Sequence, residues 1–168
     1  PSGSGKTTLM NLAALLDQPS EGDLFFDGHP TNTLPPQALA ALRQEKTGMV
    51  FQRFHLLSRR TALENVAFRF RYAPVSRTEA RRLAAAALEQ VGLTAYAQRT
   101  VRLMSGGEMQ RVAVARAMAK PLLILFADEP TGNLDAENTR LIMELFQQIN
   151  REGIAILLAT HNKALLPY

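Results

Sequence analysis

Cysteine is absent from the chain, which excludes disulfide bonds, thiolate catalysis and zinc sites built from thiolate ligands. Long apolar runs are also absent. The longest, such as residues 122–127, fall far short of the roughly 20 residues that a helix needs to span a bilayer. There is no internal repeat, low-complexity tract or inter-domain linker. A composition of 46% hydrophobic and 20% charged residues over 168 positions therefore predicts one globular domain without a transmembrane helix.

Runs of like charge are missing too. The net charge of +4 permits an anionic partner such as a nucleotide, a lipid headgroup or a nucleic acid. The basic residues are scattered, however, as at Arg43, Arg69 and Arg77, and do not form the kind of arm that binds nucleic acid. We therefore expect no nucleic-acid partner.

The first eight residues carry a phosphate-binding pattern. Pro1-Ser2-Gly3-Ser4-Gly5-Lys6-Thr7-Thr8 matches the loop G-x-x-x-x-G-K-[ST] without its first glycine. Gly3 and Gly5 allow the backbone to turn its N–H groups toward a triphosphate, Lys6 can reach the β- and γ-phosphates, and the Thr7 hydroxyl can ligate Mg²⁺. Apolar residues at helical spacing over residues 6–17 predict a helix whose N-terminus favours negative charge. The pattern indicates a nucleoside triphosphatase rather than a flexible glycine-serine turn, and it leaves ATP and GTP both open.

Predicted strands alternate with predicted helices along the rest of the chain. The expected strands are residues 24–26, 49–51, 122–127 and 154–159, and the expected helices after the first are residues 37–46, 63–70, 77–92, 105–120 and 138–151. The unbroken apolar character of residues 122–127 is typical of a strand buried on both faces. This alternation predicts an α/β fold with a mostly parallel sheet flanked by helices.

Two acidic residues follow the most apolar strand. Asp128 is expected beside the phosphate-binding loop, where it can hold Mg²⁺ through water, and Glu129 is expected to orient or deprotonate the water that attacks the γ-phosphate. The plainer alternative is a helix N-cap followed by a solvated acid.

A second pattern suited to anion binding lies at residues 105–108. Ser105-Gly106-Gly107-Glu108 reads as a capping box at the start of a helix, with two adjacent glycines and a serine hydroxyl at the N-terminus. One γ-phosphate is not easily reached by both this pattern and the N-terminal loop of the same chain if a helical block separates them. We therefore expect a dimer with shared sites; an ordinary capping box without a ligand is the alternative.

Together these patterns resemble the nucleotide-binding domain of the ATP-binding cassette (ABC) family over essentially the whole chain. In family order they are the phosphate loop of residues 1–8, the Q-loop glutamine Gln52, the signature Met104-Ser105-Gly106-Gly107-Glu108, the pair Asp128-Glu129, the D-loop Gly132-Asn133-Leu134-Asp135 and the switch histidine His161. Taken singly, Gln52 and His161 would be a polar strand terminus and a structural histidine. Their place in the ordered set favours function.

The resemblance implies a P-loop NTPase of ABC type that uses ATP and Mg²⁺. Its implied catalytic residues are Glu129, His161 and Gln52, and its implied metal-site residues are Thr7, Gln52 and Asp128. The implied nucleotide-binding residues are Ser2, Gly3, Ser4, Gly5, Lys6, Thr7, Thr8, Ser105, Gly106, Gly107, Glu108 and Asp135. Gln52 would sense metal, water and transporter state, Asp135 would act across the dimer interface, and His161 would contact the γ-phosphate.

The sequences of residues 63–66, 105–108 and 130–135 resemble those of the bacterial group that serves lipoprotein release and macrolide export. That resemblance implies a homodimer on the cytoplasmic face of the inner membrane that powers a transmembrane permease. Residues 53–57 would face the permease, or Phe54, Leu56 and Leu57 would pack the helical block instead.

The expected domain is a single ABC ATPase domain that is incomplete at both ends, because the family's upstream strand and adenine-stacking aromatic residue would precede Pro1. Residues 1–54 and 119–168 would form its RecA-like core, and residues of about 55–118 its helical subdomain with the signature. The rival functions are a soluble ABC ATPase acting on ribosomes or nucleic acid, and a regulatory cell-division cassette. The short interval between Gln52 and Ser105 leaves no room for the coiled coil of chromosome-organising members.

Overall fold

A parallel three-stranded sheet lies at the centre of the computed structural model, which describes residues 5–162 and residue 165. In chain order the helices are α1 (Lys6–Ala13), α2 (Pro36–Lys46), α3 (Ala62–Ala67), α4 (Arg77–Gln90), α5 (Gly106–Met118) and α6 (Ala136–Arg151). The strands are β1 (Phe25–Phe26), β2 (His29–Pro30), β3 (Thr47–Phe51), β4 (Ile124–Asp128) and β5 (Ala155–Ala159). The sheet order is β3-β4-β5, and β1 pairs with β2 in a separate antiparallel hairpin.

Strand β4 is the middle strand and has helices on both faces, as its apolar sequence predicts. Phe126 packs with Met10 and Ala14 at the α1 side, whereas Leu125 belongs to the larger core that also contains residues of α5 and α6. Adjacent residues of a strand point to opposite faces, so these two side chains mark the two layers of the core. The predicted parallel sheet flanked by helices is confirmed.

Helices α3, α4 and α5 form a helical block between β3 and β4 in the sequence. Each begins at a hydroxyl side chain that accepts a hydrogen bond from a backbone N–H one turn on: Thr61 from Glu64, Ser76 from Glu79 and Ser105 from Glu108. Thr61 and Ser105 form complete capping boxes. At Ser76 the Glu79 carboxylate accepts from Arg82 instead of closing the predicted box. Buried side chains such as Leu88 and Val112 fill the space between these helices.

Several elements differ from the predicted ones in extent: α3 ends at Ala67 rather than residue 70, α4 ends at Gln90, and β4 begins at Ile124 rather than residue 122. Helix α1 ends at Ala13 rather than near residue 17, and the chain turns at Leu15, which adopts a left-handed φ of 59°. Helix α5 ends at Met118, two residues before the expected end. The predicted strand at residues 24–26 is one arm of a tight hairpin, because Asp27 (φ 50°) and Gly28 (φ 76°) form a turn that brings His29–Pro30 back beside it.

Strand β5 is less buried than its uniformly apolar sequence predicts. Its burial alternates, and Leu157 remains 37% exposed. Among residues 5–162 and residue 165, the structure has no helix long and apolar enough to cross a membrane.

Candidate active site

The carboxyl ends of the three parallel strands bring three predicted site segments to one edge of the sheet. Phe51 lies opposite Asp128, and Asp128 lies opposite Ala159 in the strand register. Gln52, Glu129 and Thr160 therefore follow adjacent strand ends. This is the edge at which open α/β sheets bind ligands.

Glu129 and His161 are in direct contact at this edge. One carboxylate oxygen of Glu129, Oε1, accepts from the His161 backbone N–H at 2.8 Å and lies 2.8 Å from His161 Nδ1. The other, Oε2, accepts from the Thr160 hydroxyl at 3.1 Å. The carboxylate is mostly covered, whereas the imidazole is 70% exposed. The structure thus holds the predicted base in place and leaves the predicted histidine open to solvent.

The backbone at Glu129 adopts an uncommon conformation that fixes the direction of its side chain. Its φ is 47°, in the left-handed region that non-glycine residues seldom adopt. Hydrogen bonds on both sides support the conformation, since the Glu129 N–H donates to Ala159 O at 2.8 Å and the Gly132 N–H donates to Glu129 O at 3.1 Å. A strained, well-supported residue of this kind is typical of functional sites.

Asp128 ends strand β4 and is partly buried. Burial, and secondly the negative charge of Glu129, raise the pKa of the Asp128 carboxyl above its ordinary value. A cation beside the carboxylate would oppose both effects. Among the described residues no group of three or more histidine, aspartate or glutamate side chains is placed to hold a metal. A metal here therefore needs further ligands, for which the Thr7 hydroxyl and phosphate oxygens are chemically suited.

The described part of the phosphate loop is its end, where it enters α1. Gly5 is the N-cap residue and has φ 80°, a left-handed conformation that glycine adopts without strain. Lys6, Thr7 and Thr8 form the first turn of the helix, and this turn carries no acidic residue. The predicted ligands Ser2, Gly3 and Ser4 lie outside the described residues.

Gln52 is joined to the D-loop. Its backbone carbonyl accepts from Asn133 Nδ2 at 3.0 Å, and its side-chain Nε2 lies 3.5 Å from Asn133 Oδ1. Gly132 leaves room for the Gln52 amide in this position, because a Cβ there would lie 2.7 Å from Gln52 Nε2. The sequence analysis named Asn133 only as part of the D-loop motif and gave it no role. Nothing in the sequence indicates its contact with Gln52.

Asp135 caps helix α6 within its own chain. Its carboxylate accepts from the Asn138 N–H at 2.8 Å and from Asn138 Nδ2 at 3.0 and 2.9 Å. These hydrogen bonds lower the pKa of Asp135. Its predicted action across a dimer interface stays a prediction.

The signature residues begin helix α5 and meet α6. The Glu108 N–H donates to Ser105 Oγ at 3.2 Å, and Glu108 Oε2 accepts from the Ser105 N–H at 2.7 Å. Ser105 is exposed. Gly107 is buried against Asn138, whose Oδ1 lies 1.8 Å from the position that a Cβ would occupy. Gly107 therefore allows α5 to approach α6, and Gly106 is half-buried at the exposed helix start.

An open cleft of about 630 Å³ adjoins the Glu129–His161 pair. D-loop residues such as Gly132 and Leu134, together with Thr139 and Arg140 of α6, line the rest of it. Thr139 and Arg140 were not predicted, because nothing in their helical sequence distinguishes them from ordinary surface residues.

Known proteins resemble this chain in both sequence and fold. A family model described as ABC transporter matches residues 1–132. The lipoprotein-releasing system ATP-binding protein LolD of Aquifex aeolicus is 43% identical over 164 residues, which are 98% of this chain and 73% of the relative. The macrolide export ATP-binding/permease protein MacB of Syntrophobacter fumaroxidans is 46% identical over 164 residues, which are 96% of this chain and 23% of the relative. The dimeric post-hydrolysis structure of the ATP-binding cassette MJ0796, bound to ADP and Pi, matches with a TM-score of 0.85 at 39% identity and covers 98% of this chain and 73% of that chain.

Proposed function

The chain belongs to the ABC transporter family, and on that premise we propose that it hydrolyses MgATP to ADP and phosphate to power a membrane permease. The observation that carries the proposal is the contact between Glu129 and His161 at the carboxyl edge of the sheet. It joins a candidate base to a candidate phosphate ligand at the edge where the fold binds nucleotides.

Hydrolysis requires a water molecule that attacks the γ-phosphorus as the bond to the ADP oxygen breaks. We assign Glu129 to hold this water and accept its proton. Oε2 accepts a hydrogen bond from Thr160, and a carboxylate oxygen can accept a second one. Because His161 Nδ1 faces Glu129, the Nε2 atom on the opposite side of the ring is the one that would contact the γ-phosphate.

The phosphates would be held at the N-terminus of α1 by Ser2, Gly3, Ser4, Gly5, Lys6, Thr7 and Thr8. Mg²⁺ would be held by Thr7 and, through water, by Asp128, with Gln52 beside it, and when bound it would neutralise charge on the β- and γ-phosphate oxygens. The raised pKa of Asp128 supports this assignment, since a neighbouring cation would favour the ionised carboxylate.

We further propose that two copies of the chain form two composite sites. Ser105, Gly106, Gly107 and Glu108 of one copy, with Asp135, would complete the site on the other. The exposed hydroxyl of Ser105 at the α5 N-terminus supports this role, and the similar cassette MJ0796 was solved as a dimer.

The helical block offers a surface for the permease. An open groove of about 750 Å³ runs along α3 and the start of α4 and exposes apolar side chains of Leu57, Phe68, Tyr72 and Val75. Among the described residues four arginines line it, Arg60, Arg71, Arg77 and Arg81, and Arg60 is paired with the single lining carboxylate, Glu64. This combination fits a permease segment with an apolar face and an acidic end. Leu56 packs against the core, which supports the packing role for that residue, and the exposed Leu57 supports the proposed permease contact.

The names of the relatives point to lipoprotein release or macrolide export as the process that is powered. We propose that the chain lies on the cytoplasmic face of the membrane, where ATP is supplied. A helical block with an exposed apolar groove supports contact with a membrane subunit more than contact with a nucleic acid.

The proposal is tested by measuring MgATP hydrolysis by the protein expressed from its complete gene. Glu129→Gln should lower kcat by about 10²-fold or more and still bind ATP, because the base is lost while the phosphate ligands remain. Glu89→Gln, on the exposed face of α4, is the matched control and should retain wild-type kcat. Wild-type turnover by Glu129→Gln would refute the assignment.

A further inference from the structure

The segment that follows β3, residues 52–57, is held by side chains. Asn133 Nδ2 donates to Gln52 O at one end, and at the other Asn65 accepts from the Leu57 N–H at 2.7 Å and donates to Leu57 O at 3.1 Å. Side chains of helix α5 contact the middle of the segment and the residue that precedes it. Gln110 reaches the carbonyl of Phe51, and Arg116 reaches the carbonyls of Phe54 and His55.

Gln110 joins the start of this segment to the residue after Glu129. Its Nε2 donates to Phe51 O at 3.3 Å and to Pro130 O at 2.5 Å, which are the carbonyls immediately before Gln52 and after Glu129. The side chain is fully buried, and Oε1 has no hydrogen-bond partner among the described residues. The amide therefore leaves one of its own atoms without a partner in that part of the chain while it bridges two backbone carbonyls, and an apolar side chain of the same shape would fill the space without joining the two loops.

Arg116 holds the middle of the segment in a strained conformation. Its guanidinium donates to His55 O at 2.6 Å and to Phe54 O at 3.0 Å, and in the described part of the chain no carboxylate pairs with it. Burial, and secondly the charge of Arg69, lower the pKa of Arg116, so this charge is placed at a cost. His55 has φ 47°, a conformation that persists only where its surroundings fix it.

We propose that Gln110 and Arg116 are positioning residues through which helix α5 couples the two ATP sites of the dimer. The N-terminus of α5 carries Ser105 and Gly107, which the proposed function places on the partner's ATP. Farther along, the same helix holds the backbone at Gln52 and Glu129, which act on the chain's own ATP. A shift of α5 when its signature end engages ATP moves these catalytic segments directly, so occupation of one site activates the other.

The inference rests on the proposed function and predicts cooperative hydrolysis, with a Hill coefficient for ATP above 1 in the wild-type protein. Gln110→Met keeps the shape of the side chain and removes its donors. Arg116→Met keeps the apolar stem and removes the guanidinium. We expect either change to lower kcat roughly 10- to 100-fold, because small misplacement of catalytic groups is costly, and to bring the Hill coefficient close to 1. The KM for ATP should change less than about 3-fold.

Arg111→Met is the matched control. Arg111 lies on the same helix, between the two proposed residues, and makes no hydrogen bond to the 52–57 segment. It should keep wild-type kcat and cooperativity. Arg116→Lys retains the charge but loses the fork that binds two carbonyls, and should recover only part of the cooperativity. If Gln110→Met does not fold, Arg116→Lys decides the question.

Thermal unfolding separates positioning from a merely structural role. Gln110→Met leaves the carbonyls of Phe51 and Pro130 without their donor and should unfold at a somewhat lower temperature; positioning predicts that its Hill coefficient also falls at temperatures where the protein is fully folded. A lower unfolding temperature with unchanged cooperativity, or a wild-type Hill coefficient of 1, would overturn the inference. Glu129→Gln in the same assay keeps the two proposals apart: if it is inactive while Gln110→Met and Arg116→Met behave as wild type, the coupling alone is wrong.

Discussion

We expect Gly107→Ala to destabilise the protein, because helix α5 approaches α6 with no room for a methyl group. A Cβ on Gly107 would lie 1.8 Å from Asn138 Oδ1 and 2.4 Å from Asn138 Cγ. Asn138 is not free to swing away, since its Nδ2 donates to both carboxylate oxygens of Asp135. The new methyl group must therefore break the cap of α6 or push the two helices apart.

The size of the effect follows from these contacts. Overpacking of this kind costs about 1–3 kcal/mol, and weakening the hydrogen bonds to a charged carboxylate adds to it. Replacing glycine by alanine in a helix returns up to about 1 kcal/mol. We expect a net loss of roughly 1–3 kcal/mol in the free energy of unfolding. In a chain of this size that lowers Tm by about 3–10 °C.

Urea unfolding of the wild type, Gly107→Ala, Asn138→Ala and the double variant measures the effect and its cause. The loss caused by Gly107→Ala should fall by at least half when Asn138 is already alanine, because the obstructing amide is gone. Gly106→Ala is the matched control and should be nearly neutral, as its Cβ would meet nothing closer than 3.5 Å. Equal stability of the two alanine variants, or a loss that persists without Asn138, would refute the reasoning.

Three further predictions follow from the edge of the sheet. Because the pKa of Asp128 is higher in the ligand-free folded state than in the unfolded chain, ionisation of this carboxyl lowers the stability of the fold as pH rises through the folded-state pKa. Asp128→Asn should therefore raise Tm at pH 7 but not at low pH, and an equal Tm at pH 7 would contradict this. Thr160→Val removes the hydroxyl that donates to Glu129 and should lower kcat about 10- to 100-fold, whereas Thr160→Ser should retain activity. Gly132→Ala should change urea stability by less than about 1 kcal/mol, since the atom it meets is the far end of the Gln52 side chain, but should lower kcat; unchanged turnover would count against the Gln52 assignment.

The sheet was predictable from sequence because its strands are short apolar runs that end in polar residues. The central strand β4 matches its prediction closely: it is buried by helices on both sides. Strand β2 was not predictable, because His29–Pro30 has no strand character and pairs only through the turn at Asp27 and Gly28. The exposure of Leu157 was also not predictable, since the composition of a strand does not indicate how much of it the neighbouring elements cover.

The sequence predicted which segments meet at the edge of the sheet, but it did not predict the contacts between their side chains. Motif order placed Glu129 and His161 in the site, and parallel strands explain why their segments meet at one edge. The direct contact between the two side chains depends on the left-handed backbone conformation at Glu129. No pattern of residue types in the sequence predicts that conformation. Gln110 carried a weak signal, as a polar residue in a helix whose other buried residues are small or apolar. Its two partners lie in loops distant in sequence, so their identity required the structure.

The most direct test of the central claim, that Glu129 and His161 act as one catalytic unit, is a double-mutant cycle on kcat. The four proteins are the wild type, Glu129→Gln, His161→Ala and the double variant, assayed for MgATP hydrolysis at saturating ATP. Because the two side chains share a hydrogen bond and one phosphate, the double variant should be no more than a few-fold slower than Glu129→Gln. Losses that multiply, so that the double variant falls by the product of the two single effects, would contradict the account.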